Sequence, residues 1–257
     1  TWLGARWALV SILSGSVLCA LVLRYFLIIL SGGLEEDFIA WGLKNYFGGI
    51  TGGYLGAAKT LADTGVYTLY GYPPGYAAFV AILHKFGLGE PTEIRLVQAG
   101  LDALGCLIAY WLAARMFKSR VAGLVPAGLY AVMPLWTFGA GAMLAEAFSP
   151  LFLLSVLALM WRFKERASWP RALAIGLVIA VAALFRPDLI LLMGPAGLWV
   201  IWHAFRKPWA PMAALVAGFA ILILPWGLFN LHHNGKFRVT GAAGFYGLWT
   251  GVGQAPN

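Results

Sequence analysis

Seven apolar stretches, at residues 7–31, 96–117, 121–136, 147–161, 172–185, 189–205 and 210–230, follow one another along this chain, most of them separated by short polar turns. Most approach the roughly 20 residues that carry a helix across ~30 Å of hydrocarbon, and none keeps the two-residue alternation of a strand. Lipid offers a backbone amide no partner, so such a chain folds into helices that satisfy their own hydrogen bonds. Of 257 residues, 61% are hydrophobic and 11% charged. A mean hydropathy of +0.80 lies far above that of a soluble domain. The expected fold is all-α, a polytopic transmembrane helical bundle, with residues 1–257 read as one module. The first run exceeds a signal-peptide core, carries Arg24 well inside and lacks a clear small-residue cleavage site, so it reads as a retained span.

A net charge of +8 raises the question of nucleic acid. The cations, however, cluster in turns between apolar runs and form no continuous stripe, which is the pattern of membrane topology. No nucleic-acid partner is expected. Cys19 and Cys106 lie inside apolar runs without CxxC or His/Cys spacing, and His232 and His233 have no ligand partner in view, so neither a disulfide nor a metal site is indicated.

The polar information gathers in one long loop, 32–72, which begins GGLEEDFIAW and ends at YGY. Loops of this length usually serve a function. Leu34, Phe38 and Trp41 stand at helical spacing with Lys44 beside them, as in a helix lying among headgroups. Further on, Tyr54, Ala57, Ala58, Leu61 and Ala62 follow the i, i+3, i+4, i+7, i+8 pattern, Lys59, Thr60 and Asp63 take the other face, and Gly65 can close the helix. Two surface-lying helices in one loop make a lid. Pro73 and Pro74 then fix φ and remove two amides, and Gly71 and Gly75 permit close backbone approach, so the motif rigidly joins loop to bundle. A plain helix entry explains the same residues.

Two readings fit Glu35, Glu36 and Asp37 at the start of the loop. They mark a solvated turn, or one of them is a general base or metal ligand whose pKa burial under the lid would raise. Glu146 heads an apolar run in MLAEAF, and Arg186 and Asp188 interrupt another as LFRPDLILL. A charge at bilayer depth costs at least ~2.5 kcal/mol, so these residues belong at an interface or a cavity. Pro187 breaks the helix there, which also fits a simple turn with a local ion pair. Arg24, Arg95 and Asp102 can snorkel or pair between helices.

The basic turns at 115–120, 162–171 and 206–207 are separated by even numbers of crossings and belong on one, cytoplasmic, side. The Pro134–Glu146 connection, the Arg186–Asp188 turn and the segment after Asn230 then fall on the opposite side, with the acidic loop if the N-terminus is cytoplasmic. Two full helices at 75–88 and 93–117 would reverse that parity, so one of them has to be re-entrant or tilted.

The ordered set YLGAAKTLADTGVY, PPGYAAFVAIL, EIRLVQAGLDALGCLIAYWLAARMF, MLAEAF, LFRPDLILL and LPWGLFNLHHNGKFRVTGAAGFYGLW resembles the polytopic GT-C glycosyltransferases. The likeness is to bacterial relatives of the protein mannosyltransferases and of the aminoarabinose transferase that modifies lipid A. It implies transfer of a sugar from a polyprenyl-phosphate donor to a lipid, glycan or protein acceptor on the extracytoplasmic face of a bacterial inner membrane. No cofactor is certain, and a divalent metal remains open. In that family an acid of the first loop serves as base, which carries over to Glu36 or Asp37. Relatives often place an aspartate two or three residues before the loop tyrosine, where this chain has Thr51, Gly52 and Gly53. Arg186 is the candidate for the departing phosphate and Arg24 a second one, with Asp188, Glu146, Tyr54 and Tyr76 as further substrate contacts.

Two other classes compete: a transporter or flippase with Arg186, Asp188 and Glu146 along its path, whose mark of paired broken helices is not evident, and a non-catalytic subunit of an envelope assembly. The stretch 231–257 reads as the start of a C-terminal extracytoplasmic segment. Either the chain is expected to continue past Asn257, or this tail packs against the lid around Tyr54 and the Pro73–Pro74 junction.

Overall fold

A computed structural model describes residues 2–30, 48–69, 72–141, 143–204 and 206–239. Every regular element among them is helical. In chain order the α-helices are α1 (Trp2–Leu30), α2 (Gly48–Thr64), α3 (Gly75–Lys85), α4 (Pro91–Met116), α5 (Arg120–Val132), α6 (Pro134–Gly141), α7 (Ser149–Glu165), α8 (Trp169–Phe185), α9 (Met193–His203) and α10 (Trp209–Asn234), with 3-10 turns at Ala145–Phe148 and Pro187–Leu192. Among the described residues, three stretches are long and apolar enough to cross a membrane: Pro91–Met116, Ala145–Glu165 and Trp209–His233. The headgroup helix expected around Leu34, Phe38 and Trp41, the acids Glu35, Glu36 and Asp37, and the tail after 239 lie outside the described residues.

The chain forms two compact units, Thr1–Gly52 with Leu83–Ala158, and Gly53–Ile82 with Leu159–Asn257. In the first, α1, α4 and α5 pack around Ala20, Ala103, Cys106, Tyr130 and Ala131. Glu90 caps α4 and Pro91 opens it, and the Glu93 carboxylate accepts the Glu90 N–H at 3.0 Å, a closed capping box. The 121–136 run is not one helix. Met133 turns extended (φ −61°, ψ 113°) because Pro134 disfavours the helical conformation of the residue before it, and α6 starts afresh at the proline.

A polar cluster is sealed inside this unit. The Arg24 Nε donates to Asp102 Oδ2 at 2.7 Å and its NH2 lies 2.5 Å from the same oxygen. Tyr130 donates its hydroxyl to Asp102 Oδ1 at 2.6 Å, and Arg24 NH1 reaches the Ala20 and Ala131 carbonyls at 3.1 and 3.2 Å. Arg24 is 0% exposed and Asp102 2%. A buried charge persists only when paired and hydrogen-bonded, so this cluster ties α1, α4 and α5 together in one register.

In the second unit, Gly176 of α8 sits on the Leu215 carbonyl and Gly218 of α10 on the Leu173 carbonyl. A Cβ at either glycine would collide with backbone, so only glycine allows the two helices to cross this closely. Ala180 and Ala183 meet Ile223 further along. Later residues of α8 thus meet later residues of α10, and the two helices run in the same direction. The apolar run of α10 extends to Asn234, where Gly235 at φ +65° caps it through a 3.1 Å bond to the Leu231 carbonyl.

Of the two helices whose parity conflicts, α3 has 11 residues, about 16 Å of rise, too short to cross hydrocarbon. α4 has 26 residues and is long enough.

Candidate functional site

The second unit gathers an aromatic junction at one end. α2 forms as its periodicity predicts: Tyr54, Ala57 and Ala58 are buried while Lys59 and Asp63 are exposed. Gly65 closes the helix at φ +73°, donating to the Leu61 carbonyl at 3.0 Å. Two residues on, the buried Tyr67 turns its hydroxyl back on the junction, donating to the Tyr72 and Pro73 carbonyls at 3.0 and 3.3 Å. Burial, with Tyr54 close by, pushes the Tyr67 hydroxyl above its ordinary pKa, so it stays a proton donor. The Tyr54 ring meets Tyr72 at 5.7 Å and Tyr76 at 5.2 Å, both edge-on, the arrangement that ring quadrupoles favour.

Gly75 explains why the junction is rigid. A Cβ there would lie 2.6 Å from the Leu184 carbonyl oxygen and 2.5 Å from the Phe185 ring, so the start of α3 lies directly against the end of α8. The next residue of α8 is Arg186. Its backbone turns extended before Pro187 (φ −137°, ψ 118°) while its N–H still closes the helix on the Ala182 carbonyl at 2.7 Å. Its guanidinium takes Asp188 in a fork, Nε to Oδ1 at 2.9 Å and NH2 to Oδ2 at 3.1 Å. The pair is wet, with side chains 32% and 55% exposed.

α10 supplies the third wall. Trp226 stands edge-on to Tyr67 at 5.5 Å, and Phe229 and His233 stack below it. Asn230, 1% exposed, donates to the Trp226 and Arg238 carbonyls at 3.0 and 3.2 Å and so folds the chain after Gly235 back along α10. Trp226 is 7% exposed, and its indole N–H has no acceptor among the described residues. An orphaned buried donor costs about 1–3 kcal/mol, a cost that a ligand oxygen would remove.

Of the residues singled out in the sequence, Tyr54, Tyr76, Arg186 and Asp188 therefore belong to this unit. Glu146 belongs to the other unit and is exposed at the start of the 3-10 turn Ala145–Phe148. Arg24 also belongs there, enclosed with Asp102, and a guanidinium without exposed surface has nothing to offer a phosphate. Glu36 and Asp37 lie outside the described residues. Among the described residues no group of three or more His, Cys, Asp or Glu side chains is placed to hold a metal ion. Tyr67 and Trp226 were invisible to sequence reasoning. The tyrosine stands in a polar-looking stretch, and the tryptophan is one more apolar residue of a span.

The model of the dolichyl-phosphate-mannose-protein mannosyltransferase family matches residues 72–228, more than half of the chain. The chain belongs to that family. It is thus a membrane glycosyltransferase of the GT-C type, as the ordered motifs led us to expect. A search of curated proteins found no match. The mannosyltransferase match opens at Tyr72, directly before the Pro73–Pro74–Gly75 junction, and closes two residues after Trp226, so it contains α3, Arg186, Asp188 and most of α10. Tyr54, Arg24, Glu36 and Asp37 lie before it.

Proposed function

We propose that this chain transfers a sugar from a polyprenyl-phosphate donor to a hydroxyl-bearing acceptor at the extracytoplasmic face of a bacterial inner membrane. The observation that carries the proposal is the junction itself, where a family-matched helix start is locked against the turn that holds Arg186. A carboxylate of Glu36 or Asp37 takes the acceptor proton, the acceptor oxygen bonds to the anomeric carbon, and the bond from that carbon to the phosphate oxygen breaks. The polyprenyl phosphate leaves with the electron pair. Its growing negative charge needs a positioned cation, and guanidinium matches phosphate oxygens in a fork.

Arg186 suits that task because its ion pair with Asp188 is reached by solvent. An exposed ion pair is worth ~0–1 kcal/mol, so a phosphate oxyanion can take the place of Asp188 at little cost while the carboxylate keeps the guanidinium oriented until then. Tyr54 and Tyr76, both buried, back the site from behind and hold the junction in place. The shortness of α3 supports the sidedness. With only α4 crossing between the long loop and the basic turn at 115–120, the two fall on opposite faces, as the positive-inside bias requires.

The test is turnover of a polyprenyl-phosphate sugar by the purified protein and by its Glu36→Gln and Asp37→Asn variants. Loss of a positioned base lowers the rate by ~100- to 10,000-fold while the donor still binds. If both variants turn over like the parent, the base lies elsewhere. Donor carried intact across the bilayer would instead mark a flippase.

A further inference from the structure

The end of the second unit away from Arg186 is built differently. The Arg171 NH1 donates to the carbonyls of Arg162 and Arg166 at 2.6 and 2.8 Å, which ties the start of α8 to the end of α7. The Trp199 indole donates to the Met160 carbonyl at 2.8 Å, which brings α9 to the same place. The turn after His203 then leads straight into Trp209 and α10. Four helix ends meet there. Arg162, Lys164, Arg166, Arg171, Arg206 and Lys207 stand at this end against a single acid, Glu165. Trp169, Trp202 and Trp209 are 59%, 78% and 82% exposed.

We propose that this end is a binding surface for anionic phospholipid headgroups. Indoles this exposed at helix ends lie at the depth where ring and headgroup both find partners. One of the cations is itself seated on an indole, the Lys164 ammonium lying 4.5 Å from the centre of the Trp161 ring. The excess of cations over Glu165 selects a phosphate with net negative charge over a zwitterionic headgroup. The surface is independent of the sugar-transfer reading, since it lies at the start of α8, whereas Arg186 follows the end of that helix.

The experiment is native mass spectrometry of the full chain in detergent, titrated in parallel with phosphatidylglycerol and phosphatidylcholine of identical acyl chains. Phosphatidylglycerol should be retained more strongly. Each cation replaced should weaken that retention roughly five-fold, in Lys164→Gln, Arg166→Gln and Lys207→Gln singly and combined, with phosphatidylcholine binding unchanged and Lys164→Arg behaving as the parent. Added salt should weaken phosphatidylglycerol binding to the unaltered protein, which provides a reading even if the combined variant does not fold. Equal retention of the two lipids, or phosphatidylglycerol binding indifferent to salt or to the glutamine substitutions, overturns the proposal and leaves the surface to an acidic protein partner or to none.

Discussion

Replacing Asp102 by alanine should be among the most damaging single changes in this chain. The carboxylate accepts one hydrogen bond from Arg24, forms an ion pair with the same guanidinium and accepts a further hydrogen bond from Tyr130, and Arg24 is 0% exposed, so the guanidinium cannot reach water when its partner is removed. Removing one member of a buried pair typically costs about 3–5 kcal/mol, whereas replacing both with apolar groups of similar size can be nearly neutral. The pair Arg24→Met and Asp102→Leu should therefore lie closer to the parent than Asp102→Ala alone, with a coupling of roughly 2 kcal/mol or more in the double-mutant cycle that includes Asp102→Leu. Reversible denaturation in mixed detergent micelles, followed by tryptophan fluorescence, gives the free energies of the cycle and of Asp102→Ala. A cost for Asp102→Ala below about 1 kcal/mol, or additive single effects, would refute the reading of this cluster as a sealed lock between α1, α4 and α5.

Gly75→Ala should cost about 1–3 kcal/mol by overpacking against Leu184 and Phe185, and differential scanning calorimetry against the parent checks it. Tyr67→Phe keeps the ring on Trp226 and removes the bonds to Tyr72 and Pro73, so it should cost about 0.5–1.5 kcal/mol and speed proteolysis of the 65–74 segment. In a chain whose own Cys19 and Cys106 are replaced, single cysteines at Asp63 and Ser119 should be labelled by an impermeant reagent from opposite faces of a sealed vesicle. Labelling of both from one face would sink the topology.

Much of this architecture was legible in the residues because its causes are local. The helix ending at Gly65 follows from a one-sided apolar pattern and a glycine that accepts positive φ. The Arg186–Asp188 fork follows from two opposite charges flanking a proline. Gly75 reads as a close approach, although nothing nearby in the sequence says that Leu184 and Phe185 are what it approaches. Partners far apart in the chain leave no such trace. Arg24 and Asp102 were recognisable as residues in need of a counterion, but Tyr130, an ordinary apolar position, completes their cluster. Tyr67 and Trp226 meet through the packing of α3 on α8 and of α8 on α10, which no local pattern announces. The break at Met133 was readable from Pro134 and was obscured by the unbroken apolar composition around it.

The central claim is that the sugar leaves its lipid carrier here. The full native protein, reconstituted in sealed vesicles with a polyprenyl-phosphate sugar and an acceptor extract, should convert the donor to free polyprenyl phosphate, read by mass spectrometry of the extracted lipid, with the sugar recovered on the acceptor. Arg186→Gln should slow the conversion by ~100-fold or more if the guanidinium stabilises the departing phosphate. Recovery of the donor intact with the unaltered protein, in either leaflet, would contradict the account.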